Sequence, residues 1–127
     1  MKTIDLVTTL NEPLSEENAA EHMGAILRNS HIPAYMIAQG LGIPEKNLTR
    51  VTRRHHKPRR ETLRQLGRVA TLFHDALQAL TPKGAFDWIR TPNPYLNDVA
   101  PVQCLRSDKE LEKVMGILAA IKFGFPA

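Results

Sequence analysis

Cysteine is nearly missing from this chain. Cys104 stands alone, so no disulfide can close within it. A single thiol fits a reducing cytoplasm. Long apolar runs are missing as well: no stretch approaches the roughly 20 apolar residues of a membrane span. Residues 1–10 do not read as a signal peptide, because Asp5, Thr8 and Thr9 break the apolar run. Strand signals are confined to a weak alternation over residues 3–10. No Gly-rich phosphate loop, paired-carboxylate motif or Ser-His-Asp pattern is present. His55 and His56 are adjacent, so on a helix they point about 100° apart, with no Cys or acidic partner at ligand spacing. Cys104 and His74 lack a third orienting group and an oxyanion loop, which favours a buried thiol over a nucleophile. The expectation is a cytoplasmic protein that is not an enzyme and carries no metal or cofactor.

What is present is an ordinary apolar content of 43% over 127 residues, enough for one compact domain or two very small helical units. The net charge of +4 conceals a sharp segregation. Residues 1–42 carry two basic and five acidic side chains, and residues 71–127 carry six of each. Residues 43–70 carry nine basic and two acidic side chains, a local +7. The nine are Lys46, Arg50, Arg53, Arg54, Lys57, Arg59, Arg60, Arg64 and Arg68. A merely solvated helix face mixes both signs. Concentrated positive charge points instead to a polyanion, with nucleic acid the leading choice.

Helical periodicity dominates the pattern. Ser15 is placed to cap a helix whose stripe is Ala19, Ala20, Met23, Ile26 and Leu27. Pro33 and Pro44 open the next two helices, and Gly42 closes the first of them. Pro58 separates the basic helix from a long one over residues 59–80, striped by Leu63, Leu66, Val69, Ala70, Phe73, Leu77 and Leu80. That helix is either a dimer interface or the hub joining two halves. Thr81-Pro82 starts a short helix that carries Trp88 towards the core. Ser107 and Glu110 read as a capping box for a last helix with Leu111, Val114, Met115, Leu118 and Ile121 on one face.

Residues 34–55 have the pattern of a helix-turn-helix. Ala38 is small where two helices cross, Gly42 suits a positive φ in the turn, and Ile37, Leu41, Ile43, Leu48 and Val51 supply apolar contacts. The second helix would then present Glu45, Lys46, Thr49, Arg50 and Arg53 to base edges in the major groove. Either Arg50 or Lys46 suits a guanine edge, and Glu45 suits a cytosine amine. Arg54, Lys57, Arg59 and Arg60 are placed for phosphates. The plainer alternative is that Ala38, Gly42, Leu48 and Val51 merely shape a small bundle.

The run Trp88-Ile89, Pro92-Asn93 and Leu96, followed by a turn over residues 101–105 and a helix ending at Gly124, resembles the toxin-binding domain of the Xre/MbcA/ParS antitoxins. With the helix-turn-helix, the resemblance spans residues 16–127. Two departures stand out: Asn97-Asp98 where the family often has a glycine pair, and Pro126 after Phe125. The resemblance implies an all-α fold, with an arm over residues 1–14, a DNA-binding bundle over 15–60 and a toxin-binding domain over 61–127. It implies a RES-domain toxin partner, similar to ADP-ribosyltransferases and acting on NAD, encoded alongside. The last helix and tail would plug the toxin's cleft through Lys122, Phe123, Gly124, Phe125, Pro126 and Ala127. Phe123 is equally suited to finishing the apolar stripe of its own helix. Operator DNA and a homodimer reading two half-sites complete this picture. The alternative is a stand-alone repressor whose C-terminal half only dimerises or senses a ligand.

Overall fold

The computed structural model describes residues 2–53 and 57–124, with side chains from residue 6 onward. It is all-helical. The α-helices are α1 (Lys2–Asn11), α2 (Ala19–Ser30), α3 (Ala34–Leu41), α4 (Glu45–Thr52), α5 (Arg60–Ala79), α6 (Pro82–Arg90) and α7 (Asp108–Phe123). Short 3₁₀ turns at Pro94–Leu96 and Pro101–Gln103 link α6 to α7.

The segment expected as an N-terminal arm is mostly the helix α1. Its alternation over residues 3–10 is overridden because Leu6 and Leu10, four apart, lie on one helical face and are buried. That face packs on α2 and α5. Between α1 and α2 the chain is tied by reciprocal bonds: the Ser15 amide donates to Asn18 Oδ1 at 2.8 Å and the Asn18 amide donates to Ser15 Oγ at 3.3 Å. Ser15 therefore caps the turn that leads into α2. The buried face of α2 is more polar than its expected stripe. His22, Asn29 and Ser30 are buried with Ala19, Met23 and Ile26, while Ala20 and Leu27 are half-buried. The ring nitrogens of His22 lie 3.1 Å from the Asn18 carbonyl and 3.0 Å from the Glu12 carbonyl, which fastens the connecting loop onto α2.

Helix α5 is the hub. It packs against α1, α2, α6 and α7, burying Leu66, Val69, Leu72, Phe73 and Ala76. The face is turned from the expected stripe, so Leu63, Ala70, Leu77 and Leu80 lie at its half-buried margins. Phe73 meets Phe86 of α6 with ring centroids 6.4 Å apart. Trp88 also packs against this core from a half-buried position.

The buried residues form one continuous cluster from Leu6 to Leu118. Two contacts clasp its ends together. At Gly40, a Cβ atom would lie 1.9 Å from the carbonyl oxygen of Val102, so α3 can rest on the Pro101–Gln103 turn only because residue 40 has no side chain. Arg68 of α5 donates to Asp108 Oδ1 at 2.9 Å and to the carbonyls of Arg106 at 3.2 Å and Leu105 at 3.4 Å. It thereby secures the start of α7.

The loops follow their local chemistry. Gly42 takes φ +76° and its amide donates to the Ala38 and Gln39 carbonyls. Thr81 Oγ1 accepts from the Gly84 amide, with Pro82 opening α6. Asn97 and Asp98 adopt φ +58° and +63°. That conformation is tolerated by Asn and Asp better than by other side chains. The capping box before α7 is half-formed: Ser107 Oγ accepts from the Glu110 amide, while the Glu110 carboxylate stays exposed to solvent.

Gly40→Ala should destabilise the protein by about 1–3 kcal/mol through overpacking against a backbone carbonyl. Gly116→Ala, mid-helix in α7 with open space around its Cβ position, should instead stabilise it by about 0.5–1 kcal/mol. Thermal unfolding followed by circular dichroism checks both signs.

Candidate nucleic-acid interface and partner-facing end

Helix α4 is seated by Leu48 and Val51, which are buried against α2 and α3. With those two inward, Glu45, Lys46, Arg50 and Arg53 are exposed and Thr49 is half-buried. Thr49 donates its hydroxyl to the Lys46 carbonyl at 3.1 Å, and Thr52 donates to the Thr49 carbonyl at 2.7 Å. These bonds hold the two threonines close to the helix surface, so the long basic side chains project furthest.

Beside α4, the chain leading into α5 forms an open cleft of about 580 Å³ lined by Asn47, Arg50, Val51, Lys57, Pro58, Arg59 and Thr62. Three of the expected DNA-contacting residues, Arg50, Lys57 and Arg59, are thus brought together. Lys46 and Arg53 are exposed outside the cleft, as is Arg60. Arg54 lies outside the described residues. Asn47 and Thr62 escape a reading based on charge, being neutral, and their signal is only their spacing beside Arg50 and Arg59.

The charges of the basic segment are not all equivalent. Arg68 is consumed by its internal bonds, with its side chain 12% exposed. Arg64 faces Glu61 at 3.8 Å in solvent, a pairing of little energetic weight. Among the described residues, Lys46, Arg50, Arg53, Lys57, Arg59 and Arg60 form no ion pair. No ion pair among the described residues therefore offsets their charge.

At the far end, Leu118 is the last buried residue of α7. Beyond it Ile121 and Phe123 are exposed, Phe123 at 64%. Phe123 therefore does not finish the apolar stripe of its helix into the core. Lys122 Nζ lies 5.7 Å from the Phe123 ring centroid, and Gly124 ends the helix at φ +74°. A small cleft of about 180 Å³ between α5 and α7, bordered by His74, Asp75, Met115 and Phe123, adjoins this exposed end. Phe125, Pro126 and Ala127 lie outside the described residues.

The groups suspected of other chemistry are otherwise engaged. Cys104 is buried, with Sγ 3.7 Å from the Ala100 carbonyl. Burial pushes its thiol pKa up, reinforced by the Glu110 charge and opposed by Lys113. His74 Nδ1 lies 2.9 Å from Asp75 Oδ1. Lys83 and Arg90 donate to the Asp87 carboxylate at 2.8 and 2.7 Å and hold it below the usual carboxylate range. Among the described residues no group of three or more His, Cys, Asp or Glu is arranged for a metal, and no helix is long and apolar enough to cross a membrane. His55 and His56 lie outside the described residues.

No protein-family profile and no curated protein matches the chain. Its architecture is nevertheless one seen before, a small all-helical fold shared with a component of a toxin–antitoxin assembly. One similar structure is a chain in the crystal structure of the M. tuberculosis MbcT–MbcA toxin–antitoxin complex. The TM-score is 0.68 at 18% identity, over 85% of this chain and 96% of that one.

The native thiol of Cys104 should react with iodoacetamide at pH 8 more slowly than the same thiol in denaturant, since the thiolate is the nucleophile and burial opposes it. Equal rates in the two states, followed by mass spectrometry, would mean that the thiol is open to solvent.

Proposed function

We propose that this protein is the antitoxin of a type II toxin–antitoxin system, and that it also represses its own operon. The observation that carries the reading is the fold likeness to a chain of the MbcT–MbcA complex, nearly all of which is covered. The partner is a RES-domain toxin encoded alongside, one that consumes NAD or transfers ADP-ribose. The protein performs no catalysis of its own. It works in the cytoplasm and blocks the toxin's cleft with the end of α7 and the residues that follow. Phe123 suits an apolar pocket there, because an exposed aromatic at a helix end supplies large contact area at small entropic cost. Lys122 suits an acidic group in the toxin.

Repression uses α3 and α4 as a helix-turn-helix, with α4 entering the major groove and Lys57, Arg59 and Arg60 beside it facing phosphates. A homodimer places two copies of α4 on half-sites about one helical turn apart. Residues 15–60 form the DNA-facing part and residues 61–127 the toxin-facing part, although the two share one core.

Deleting residues 122–127 should abolish neutralisation when the shortened protein is co-expressed with its adjacent toxin, while binding to its own promoter persists. Full neutralisation by the truncated form would eliminate the plugging mechanism. An adjacent reading frame that encodes no toxin would favour a stand-alone repressor.

A further inference from the structure

Helix α4 offers a duplex two different surfaces. Successive helical residues turn by about 100°, so Lys46 and Arg53 share the direction opposite buried Leu48 and Val51. Arg50 stands off that line, towards Asn47, and the two line the cleft that Lys57, Arg59 and Thr62 close from the other side. Three cations, an amide and a hydroxyl thus line a basin of about 580 Å³ that has no carboxylate among the described residues of its lining. None of the three cations forms an ion pair among the described residues. A concave cationic basin suits the oxygens of a phosphodiester. Reading a base edge requires the opposite shape, a side chain that projects from the helix into the groove.

We propose that Arg50, Lys57 and Arg59 clamp one backbone phosphodiester of the duplex, with Asn47 and Thr62 as neutral donors, and that Lys46, Thr49 and Arg53 read the bases. The proposal rests on the DNA-binding reading above and divides the labour within it. Arg50 sets register and affinity. Lys46 and Arg53 set sequence preference.

The test compares the parent with Arg50→Ala, Arg50→Lys and Arg53→Ala on two probes, a random-sequence duplex and the best duplex selected by the parent from a random pool. Arg50→Ala should weaken both probes by the same factor and make the log–log salt slope shallower by about 0.9. Selection with that variant should return the parent's sequence. Arg50→Lys should restore most of the slope, because a phosphate accepts a lysine's point charge as well as a guanidinium. Arg53→Ala should weaken the selected duplex about ten- to a hundredfold more than the random one. Lys57→Ala, outside any helix, should repeat the loss of slope seen with Arg50→Ala, which guards against a folding defect in α4. A changed base preference or an unchanged slope in Arg50→Ala overturns the clamp and leaves DNA binding standing. A parent that binds neither duplex at low salt overturns the DNA-binding reading itself.

Discussion

The distance at which α3 meets the backbone of residues 101–103 governs the rest of the architecture. A methyl group on residue 40 would overlap the Val102 carbonyl, and closed packing in a protein interior leaves no slack to absorb it. With glycine there, α3 lies flat on the 3₁₀ turn, α4 is fixed in turn through the Gly42 bend, and the C-terminal segment becomes a support for the N-terminal bundle. Arg68 works on the same joint from α5, holding the carbonyls that precede α7 and the acidic residue in its first turn. Favourable charge at that helix start adds to the clasp. The orientation of the basic helix thus depends on residues about fifty positions further along the chain.

Charge in this protein is sorted by task. The fold spends one arginine of the basic segment on internal support and leaves six described cations around α4 without carboxylate partners. Elsewhere the same side-chain types are paired locally, as Lys83 and Arg90 are with the shared Asp87 carboxylate on α6. A surface that is compensated in one place and left bare in another is a directed field, and such fields act on the rate and specificity of encounter more than on fold stability.

Much of the architecture was legible in the residues themselves. Pro44, Thr81-Pro82, Ser107, Gly42 and Gly124 mark helix ends by local chemistry, and the helices begin and end near them. The contacts between distant segments were not legible. Two leucines in α1 look insufficient for a helix until α2 and α5 are present to bury them. Gly40 reads as an unremarkable helical glycine, because its reason lies in Val102. Arg68 reads as one more surface cation, since its partner Asp108 comes 40 residues later. In the candidate interface the cations were visible as a cluster, but their division between an exposed ridge and a cleft was not. Charge counting is blind to direction and passes over neutral neighbours such as Asn47 and Thr62.

A single interior that runs from Leu6 to Leu118 has a thermodynamic corollary. Segments that share a core melt together, so they also gain together. Any ligand that binds the folded form, at the basic helix or at the end of α7, raises the unfolding free energy of the whole chain by mass action. Where opening and reclosing outpace cleavage, proteases that attack transiently opened chains are held off in the same proportion. Resistance of the folded chain to proteolysis would therefore rise with occupancy, whichever end an occupant held.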